Sequence, residues 1–283
     1  MGIIIIFSTI ITYVIGSHYI DNPQIVVLIT LFLAIFLFII AFTVTQSFDK
    51  LAETNRLKSE FVSVVSHQLR APLSNLAWAI EILMSGRIGL IEEQQVEYFK
   101  ILKENSGRMK ELVNNLLTVS RIEQGTLPLK KEEFFLEDVI KNLISVFTPF
   151  AKASNVEIKF ENSGSLPKIY NDPSQVRLVI ENLLDNAIRY IKEKGVISIK
   201  LKQKNNDIYF EIKDNGVGIP QNDQKYIFQK FFRSENILKY QTQGSGLGLY
   251  IVKSIIKKAG GKIGFQSEEG KGSTFWLTLP IKS

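Results

Sequence analysis

The chain has 283 residues, enough for about two domains, and no cysteine, which excludes disulfides, thiolate metal sites and thiol catalysis. Its 34 basic residues against 28 acidic ones leave a net charge of +6. A basic balance can suggest nucleic acid. Here the first 49 residues hold no Lys or Arg. The asymmetry points to a membrane, and no nucleic-acid partner is expected.

The opening run, MGIIIIFSTIITYVIGSHYI, is apolar almost throughout, and a second run follows Asp21-Asn22-Pro23 from Gln24 to about Thr45. Each is long enough to cross a hydrocarbon core of roughly 30 Å as a helix. A signal peptide is the rival for the first run, but no basic n-region precedes it and no small-residue cleavage site follows. Lys50, Arg56 and Lys58 come after the second run and set that end in the cytoplasm. Residues 1–46 thus read as a two-span anchor in the inner (plasma) membrane. The loop between the spans is too short for a ligand-binding domain, so a signal enters through the helices or through a membrane sensory partner. His18 is either a pH sensor near the outer surface or, more plainly, an interfacial residue with no special task.

From Phe48 a heptad leaves the membrane: Phe48, Val62, Leu69, Leu76 and Leu83, with Asn55 in the one polar slot and Leu51 and Val65 at companion positions. That is a coiled-coil seam. SGRIGL, residues 85 to 90, breaks it. A second amphipathic helix spans about Glu92 to Ile122, with Phe99, Leu102, Met109, Val113 and Leu116 at three-four spacing. Two such helices bury little alone, so a homodimeric four-helix bundle over residues 47–126 completes them.

Beyond Glu123-Gln124-Gly125-Thr126 the pattern mixes helix and strand. Leu136 to Ala153 reads as a helix and VEIKF as a strand. Asp172-Pro173-Ser174-Gln175 opens a helix to about Ile191 with an N-cap, proline at N1 and glutamine three residues after the cap. Ile197, Ile199 and Leu201 alternate with polar residues, as do Ile208, Phe210 and Ile212, giving two half-buried strands. GKIGFQS and STFWLTLP add strands, with a helix from about Leu247 to Ala259 before them. Residues 127–283 are therefore expected to form an α/β sandwich, helices on one face of a mixed sheet. The fold class is multidomain.

SHQLRAPL, residues 66–73, carries a histidine on the first soluble helix. His67 falls at heptad position f, away from the seam, so its imidazole should be exposed, and a neutral ring nitrogen is a nucleophile. Pro72 removes the donor to the carbonyl of residue 68 and crowds it, so the helix should bend or loosen there. For an arbitrary chain an exposed histidine on a coiled coil is a plain surface residue. The second half of the sequence changes that balance.

In NLLDNAIRY, Asn182 and Asn186 share one helix face, and their amide oxygens suit Mg²⁺ that also carries phosphate; Arg189 and Tyr190 lie a turn on, in reach of phosphate or ribose. In DNGVGIP, Asp214 ends a strand and can accept from an exocyclic amine such as adenine's, while Gly216 and Gly218 permit positive φ and close backbone approach. DNG alone is more often a hairpin turn. GSGLGLYIVK sets Gly244, Gly246 and Gly248, with Leu247 among them, before a helix start whose N–H groups suit phosphate. Alone it is weak, and it is neither a P-loop nor a dinucleotide fingerprint. The stretch FQKFFRSENILKYQTQ reads as a lid with Arg233 reaching a terminal phosphate, or, from Ser234 to Gln243, as a solvated loop.

Taken together these motifs resemble the sensor histidine kinases of two-component systems, over about residues 47–282. SHQLRAPL is similar to the phosphoacceptor box, NLLDNAIRY to the N box, DNGVGIP and GSGLGLYIVK to the first and second glycine boxes, FQKFFR to the F box and GKGSTF to the last glycine pair. The resemblance implies the ATP-binding fold of Hsp90, gyrase and MutL. It also implies transfer of the γ-phosphoryl of ATP to His67 and then to an aspartate of a response-regulator receiver domain. Asn186 would hold Mg²⁺, Asp214 would read adenine, and Gly244, Gly246 and Gly248 would surround the phosphates. Two positions depart from the family. Gln68 stands where an acidic residue usually follows the histidine; it can hydrogen-bond the ring but cannot act as a base. Ala71 stands where many members have Thr or Asn, which puts phosphatase activity in question. The alternatives are a dimeric scaffold that binds ATP without transferring phosphate, for which Gln68 is the support, and an ATP-driven clamp of the same nucleotide fold.

Overall fold

The computed structural model describes residues 2–89, 91–162, 164, 166–234 and 244–282, apart from the side chains of residues 55, 58 and 59. The Asn55 slot of the heptad and most of the expected lid, residues 235–243, lie outside the described residues. The chain divides into two compact units, Met1–Phe61 and Val62–Ser283.

The first unit holds α1 (Gly2–Tyr19) and the beginning of α2 (Pro23–Met84). Two stretches, Gly2–Tyr19 and Pro23–Thr54, are long and apolar enough to cross a membrane. No residue of α1 is buried. The helices meet where glycine leaves room: a Cβ at Gly16 would stand 2.9 Å from Cγ1 of Val26, and Val26 is buried. Hydroxyls of Thr9, Thr12, Thr30 and Thr43 donate to carbonyls one turn back at 2.8–3.0 Å, which satisfies them without water.

The second unit begins with the rest of α2 and α3 (Glu93–Glu123), the two arms of a helical hairpin. Glu92 and Gln95 form a reciprocal capping box at the start of α3. The arms touch where Ser106 Oγ donates to the carbonyl of Leu73 at 3.5 Å and Lys103 faces Glu81 at 3.5 Å. Ser66 and Ile80 are buried on this side of α2 and Val113 and Leu117 on α3. The seam residues Leu69, Leu76 and Leu83 are not; they remain exposed in the single chain, as do Ile101, Leu102, Met109 and Leu112 of α3. Each helix thus has one apolar side within the hairpin and a second facing outward. Helical conformation runs unbroken through Pro72. The proline can remove one donor from a 62-residue helix, and the helix is long enough to carry that loss.

The α/β lobe contains β1 (Glu132–Phe134), α4 (Leu136–Ala153), β2 (Val156–Asn162), β3 (Ile169–Asn171), α5 (Pro173–Arg189), β4 (Gly195–Lys204), β5 (Asp207–Asp214), α6 (Gly248–Lys258), β6 (Lys262–Glu268) and β7 (Gly272–Pro280). A five-stranded sheet has the order β2-β4-β5-β7-β6; β2 pairs in parallel with β4 and the other pairs are antiparallel. Along β4, Ile197, Ile199 and Leu201 are fully buried while Ser198 and Lys200 point away, the period of two that a one-sided sheet requires. Those side chains join Phe210, Ile212, Leu277 and Leu279 beneath Leu143 of α4, Val179, Ile180, Leu183 and Leu184 of α5, and Ile251, Val252 and Ile255 of α6. Burial of each such side chain contributes about 1.5–3 kcal/mol. β1 and β3, three residues each, pair in a small separate sheet that the alternation pattern did not predict.

Candidate active site

The helix that carries the two asparagines is fixed at its start. Oδ1 of Asp172 accepts from the backbone N–H of Ser174 at 2.9 Å and of Gln175 at 3.2 Å, and from the Ser174 hydroxyl at 2.6 Å. The other oxygen accepts from the backbone of Lys130 at 2.8 Å. Burial raises the Asp172 pKa, but these donors outweigh it and hold the carboxyl below its usual range.

Three turns on, Asn182 Nδ2 donates to the carbonyl of Leu178 at 2.8 Å, which fixes the amide. Its Oδ1 faces α6 so closely that a Cβ at Gly248 would stand 2.6 Å from it. Arg189 Nε lies 2.6 Å from Asp185 Oδ2. Burial works against the Arg189 charge, yet Asp185 and Glu111 keep its pKa above the ordinary value. Burial also raises the phenol of Tyr190, with Arg233 opposing.

Asp214 closes β5 and is buried. Its Oδ1 accepts from Gly216 N–H at 2.8 Å and Ser273 N–H at 3.2 Å. Burial pushes its pKa up to about 6 against those two donors. Two glycines are required here. Gly218 has φ +68° and a Cβ there would strike the carbonyl of Glu268; Gly272 has φ +102° and a Cβ would strike the carbonyl of Asp214. Gly246, φ +68°, accepts at its carbonyl from Phe231 N–H at 2.9 Å, and a Cβ on it would stand 2.8 Å from the Phe231 carbonyl carbon. Phe231 itself has φ +61°, rare for an aromatic residue, and its ring is 63% exposed. Next to it Ser234, buried, donates to Asp223.

These elements surround one cleft of about 1090 Å³, open solvent included. Of the residues singled out from sequence, Asn182, Asn186, Arg189, Tyr190, Asp214, Gly218, Arg233, Gly244, Gly246 and Gly248 line it. Gly216 does not; it acts from behind, by its N–H to Asp214. Leu247 is fully buried in the core as the residue before α6. His67 and Gln68 do not line the cleft and lie exposed on α2, next to buried Ser66. Ile219, Ser273 and Phe275, from the first glycine box and the last glycine pair, also line the cleft, as does Ile227, which no motif marked. Glu111 and Asn115 of α3 also line it; nothing in the heptad pattern marked them.

The cradle fits a nucleotide: Gly248 leaves room beside Asn182 that a side chain would fill, and Asp214 keeps one oxygen bonded to backbone while the carboxylate faces the cleft. The donors near Asn186 are hard oxygens, which suit Mg²⁺. Among the described residues no cluster of three or more His, Cys, Asp or Glu could hold a metal alone.

Two domain families match this chain. Residues 57–125 match the His Kinase A phospho-acceptor domain, and residues 171–283 match the histidine kinase-, DNA gyrase B- and HSP90-like ATPase. Residues 57–125 and 171–283 thus belong to the phospho-acceptor and ATPase domain families of histidine kinases, and the relatives they match are themselves named as sensor proteins. It is 32% identical over 226 residues to the alginate biosynthesis sensor protein KinB of Pseudomonas aeruginosa, covering 80% of this chain and 37% of that protein. The chain spans only 25–39% of the length of curated relatives that it matches. Among solved structures it is similar to full-length ShkA in complex with AMPPNP, with TM-score 0.66, 26% identity, and 78% of this chain and 46% of that one covered. The fold is shared with ThkA in complex with the response regulator protein TrrA, at TM-score 0.55 and 21% identity, over 81% of this chain and 64% of that one.

Proposed function

We propose that the chain is a membrane-anchored, homodimeric histidine kinase that phosphorylates His67 from ATP and passes the phosphoryl group to an aspartate of a receiver domain. The domains would be a two-span anchor at 1–46, a dimerisation and phosphoacceptor hairpin at 47–126, and an ATP-binding lobe at 127–283. The observation that carries the reading is the convergence of Asn186, Asp214, the glycine turns and Arg233 on one cleft, in a chain that also exposes a histidine on a phosphoacceptor-type hairpin.

In this reading Asp214 accepts from the adenine amine, and its carbonyl neighbours and the glycine turns admit the ring without steric conflict. The backbone of Gly244 to Gly248 receives the phosphates at the start of α6. Asn186, with Asn182 beside it, would hold Mg²⁺, and the ion would neutralise phosphate charge. Arg189 and Arg233 supply positive charge, and Tyr190 packs beside the sugar and base. A ring nitrogen of His67 attacks the γ-phosphorus, the bond to the β–γ bridging oxygen breaks, and ADP leaves with that oxygen's charge. The proton on the other ring nitrogen goes to solvent, because Gln68 can accept a hydrogen bond but not the proton. The phosphoryl group then moves from the imidazole to a receiver carboxylate, forming an acyl phosphate.

The outward apolar sides of α2 and α3 support a dimer, and the two apolar stretches support an anchor in the inner (plasma) membrane. The full chain, incubated with γ-labelled ATP and Mg²⁺, should acquire an acid-labile label that vanishes in His67→Ala. Nucleotide binding without label would instead support the scaffold, and phosphate release without a histidine intermediate the clamp.

A further inference from the structure

The hairpin does more than present a histidine. Glu111 and Asn115, one helical turn apart on α3, form part of the wall of the nucleotide cleft opposite Asp185, Asn186 and Arg189 of α5. The charges there are unevenly set. Arg189 is gripped by Asp185 at 2.6 Å from its own helix, and Glu111 is the other acid whose charge it feels. Burial raises the Glu111 pKa most, Arg189 pulls it back down, and the carboxylates of Asp185 and Glu181 push it up again. Asp185 cannot leave Arg189, being four residues away on the same rigid element. Glu111 belongs to a different element and can.

We infer that Glu111 competes with the phosphates of the nucleotide for Arg189, so that α3 is a removable stop on the cleft. A triphosphate arriving beside Arg189 meets Asp185, 2.6 Å from the guanidinium, and shares the cleft with the Glu111 carboxyl, and like charges repel. The stop is held by contacts at the end of α3 and just past it. Lys230 of the F box forms an ion pair with Glu123, and Lys258 of α6 donates to the carbonyl of Leu127 at 2.8 Å. Nucleotide and docked hairpin therefore oppose one another. By linkage, whatever lifts α3 tightens nucleotide binding by the same factor that nucleotide loosens α3. The requirement also suits the chemistry, since a hairpin carrying the phosphoacceptor must change its stance for the histidine to reach a terminal phosphate.

This inference rests on the kinase reading and is tested apart from it. The full chain in detergent or nanodiscs is titrated with Mg²⁺-ATP and with adenosine, as wild type, Glu111→Gln and Glu111→Asp. The Gln variant should bind Mg²⁺-ATP about fivefold more tightly, leave adenosine affinity unchanged, and lower the KM for ATP in autophosphorylation more than it alters kcat. The Asp variant, which keeps the charge, should stay close to wild type, and added salt should narrow the gap between wild type and the Gln variant. A Gln variant that binds Mg²⁺-ATP no better than wild type, or that gains equally for adenosine, overturns the stop and leaves the kinase reading standing. A wild-type chain that binds no Mg²⁺-ATP overturns both.

Discussion

Asp172 reaches back to Lys130. One oxygen of its carboxylate caps α5 while the other takes the backbone N–H of a residue 42 positions earlier, at 2.8 Å. The segment leaving the hairpin is thereby tied to the start of the helix that carries the cleft-lining asparagines. Asp172→Ala removes both bonds and should cost about 2–3 kcal/mol in urea unfolding, with Asp172→Asn recovering part of it. Because the folded pKa is depressed, the stabilisation is present above the unfolded value and is lost as pH falls through the folded one. The mutant's deficit should shrink in acid, below about pH 4.

Asp214 behaves in the opposite sense. Its folded pKa is raised to about 6, so the carboxyl favours folding while protonated, and that contribution disappears as pH rises from the unfolded value through about 6. In the kinase reading Asp214 must be a carboxylate to accept from the adenine amine, so ATP affinity should fall as pH drops below about 6. Asp214→Asn keeps an oxygen for the N–H groups of Gly216 and Ser273 and should fold at least as stably at neutral pH. It should nonetheless lose ATP, because its NH₂ group faces another donor. Paired thermal melts and ATP titrations at pH 5 and 7.5 check this.

Phe231 holds a left-handed backbone with its ring mostly in water. Replacing it by glycine removes a conformational cost of about 1–2 kcal/mol and little packing. Phe231→Gly should raise the melting temperature of the chain, read by differential scanning calorimetry. A fall would mean the exposed ring contributes more than its backbone costs.

Gln68 bears on rate rather than on binding. Gln68→Glu supplies a proton acceptor beside His67 and should raise the rate of label incorporation by about tenfold or more at saturating ATP, with ATP affinity unchanged. Ala71→Thr restores a hydroxyl one turn after the histidine and should raise dephosphorylation of a labelled receiver without altering autophosphorylation.

Much of this architecture is legible in the chain because period and punctuation agree. Asp172-Pro173 announces α5, and the alternation at 197–201 and 208–212 announces β4 and β5, which pair in the register Ile199 with Ile212. β1 and β3 escape because three residues are too few to show a period. The glycine turns are visible as residue types, yet the reason for Gly218 and Gly272 is a carbonyl supplied by β6 or β5, a fact of tertiary folding. Leu247 sits inside a phosphate-type motif but follows its apolar chemistry into the core. Glu111 and Asn115 were out of reach for the same reason: polar residues on an amphipathic helix look alike whether they meet water or a cleft.

The outward row of Leu69, Leu76 and Leu83 gives the hairpin a thermodynamics of its own. A helix pair with half its greasy surface uncovered has no fixed melting point; by mass action, dilution alone should loosen it while the α/β lobe, whose core is complete within one chain, stays intact. On the kinase reading, scarcity of the protein would then silence phosphotransfer first, because the hairpin that carries His67 would loosen before the lobe does.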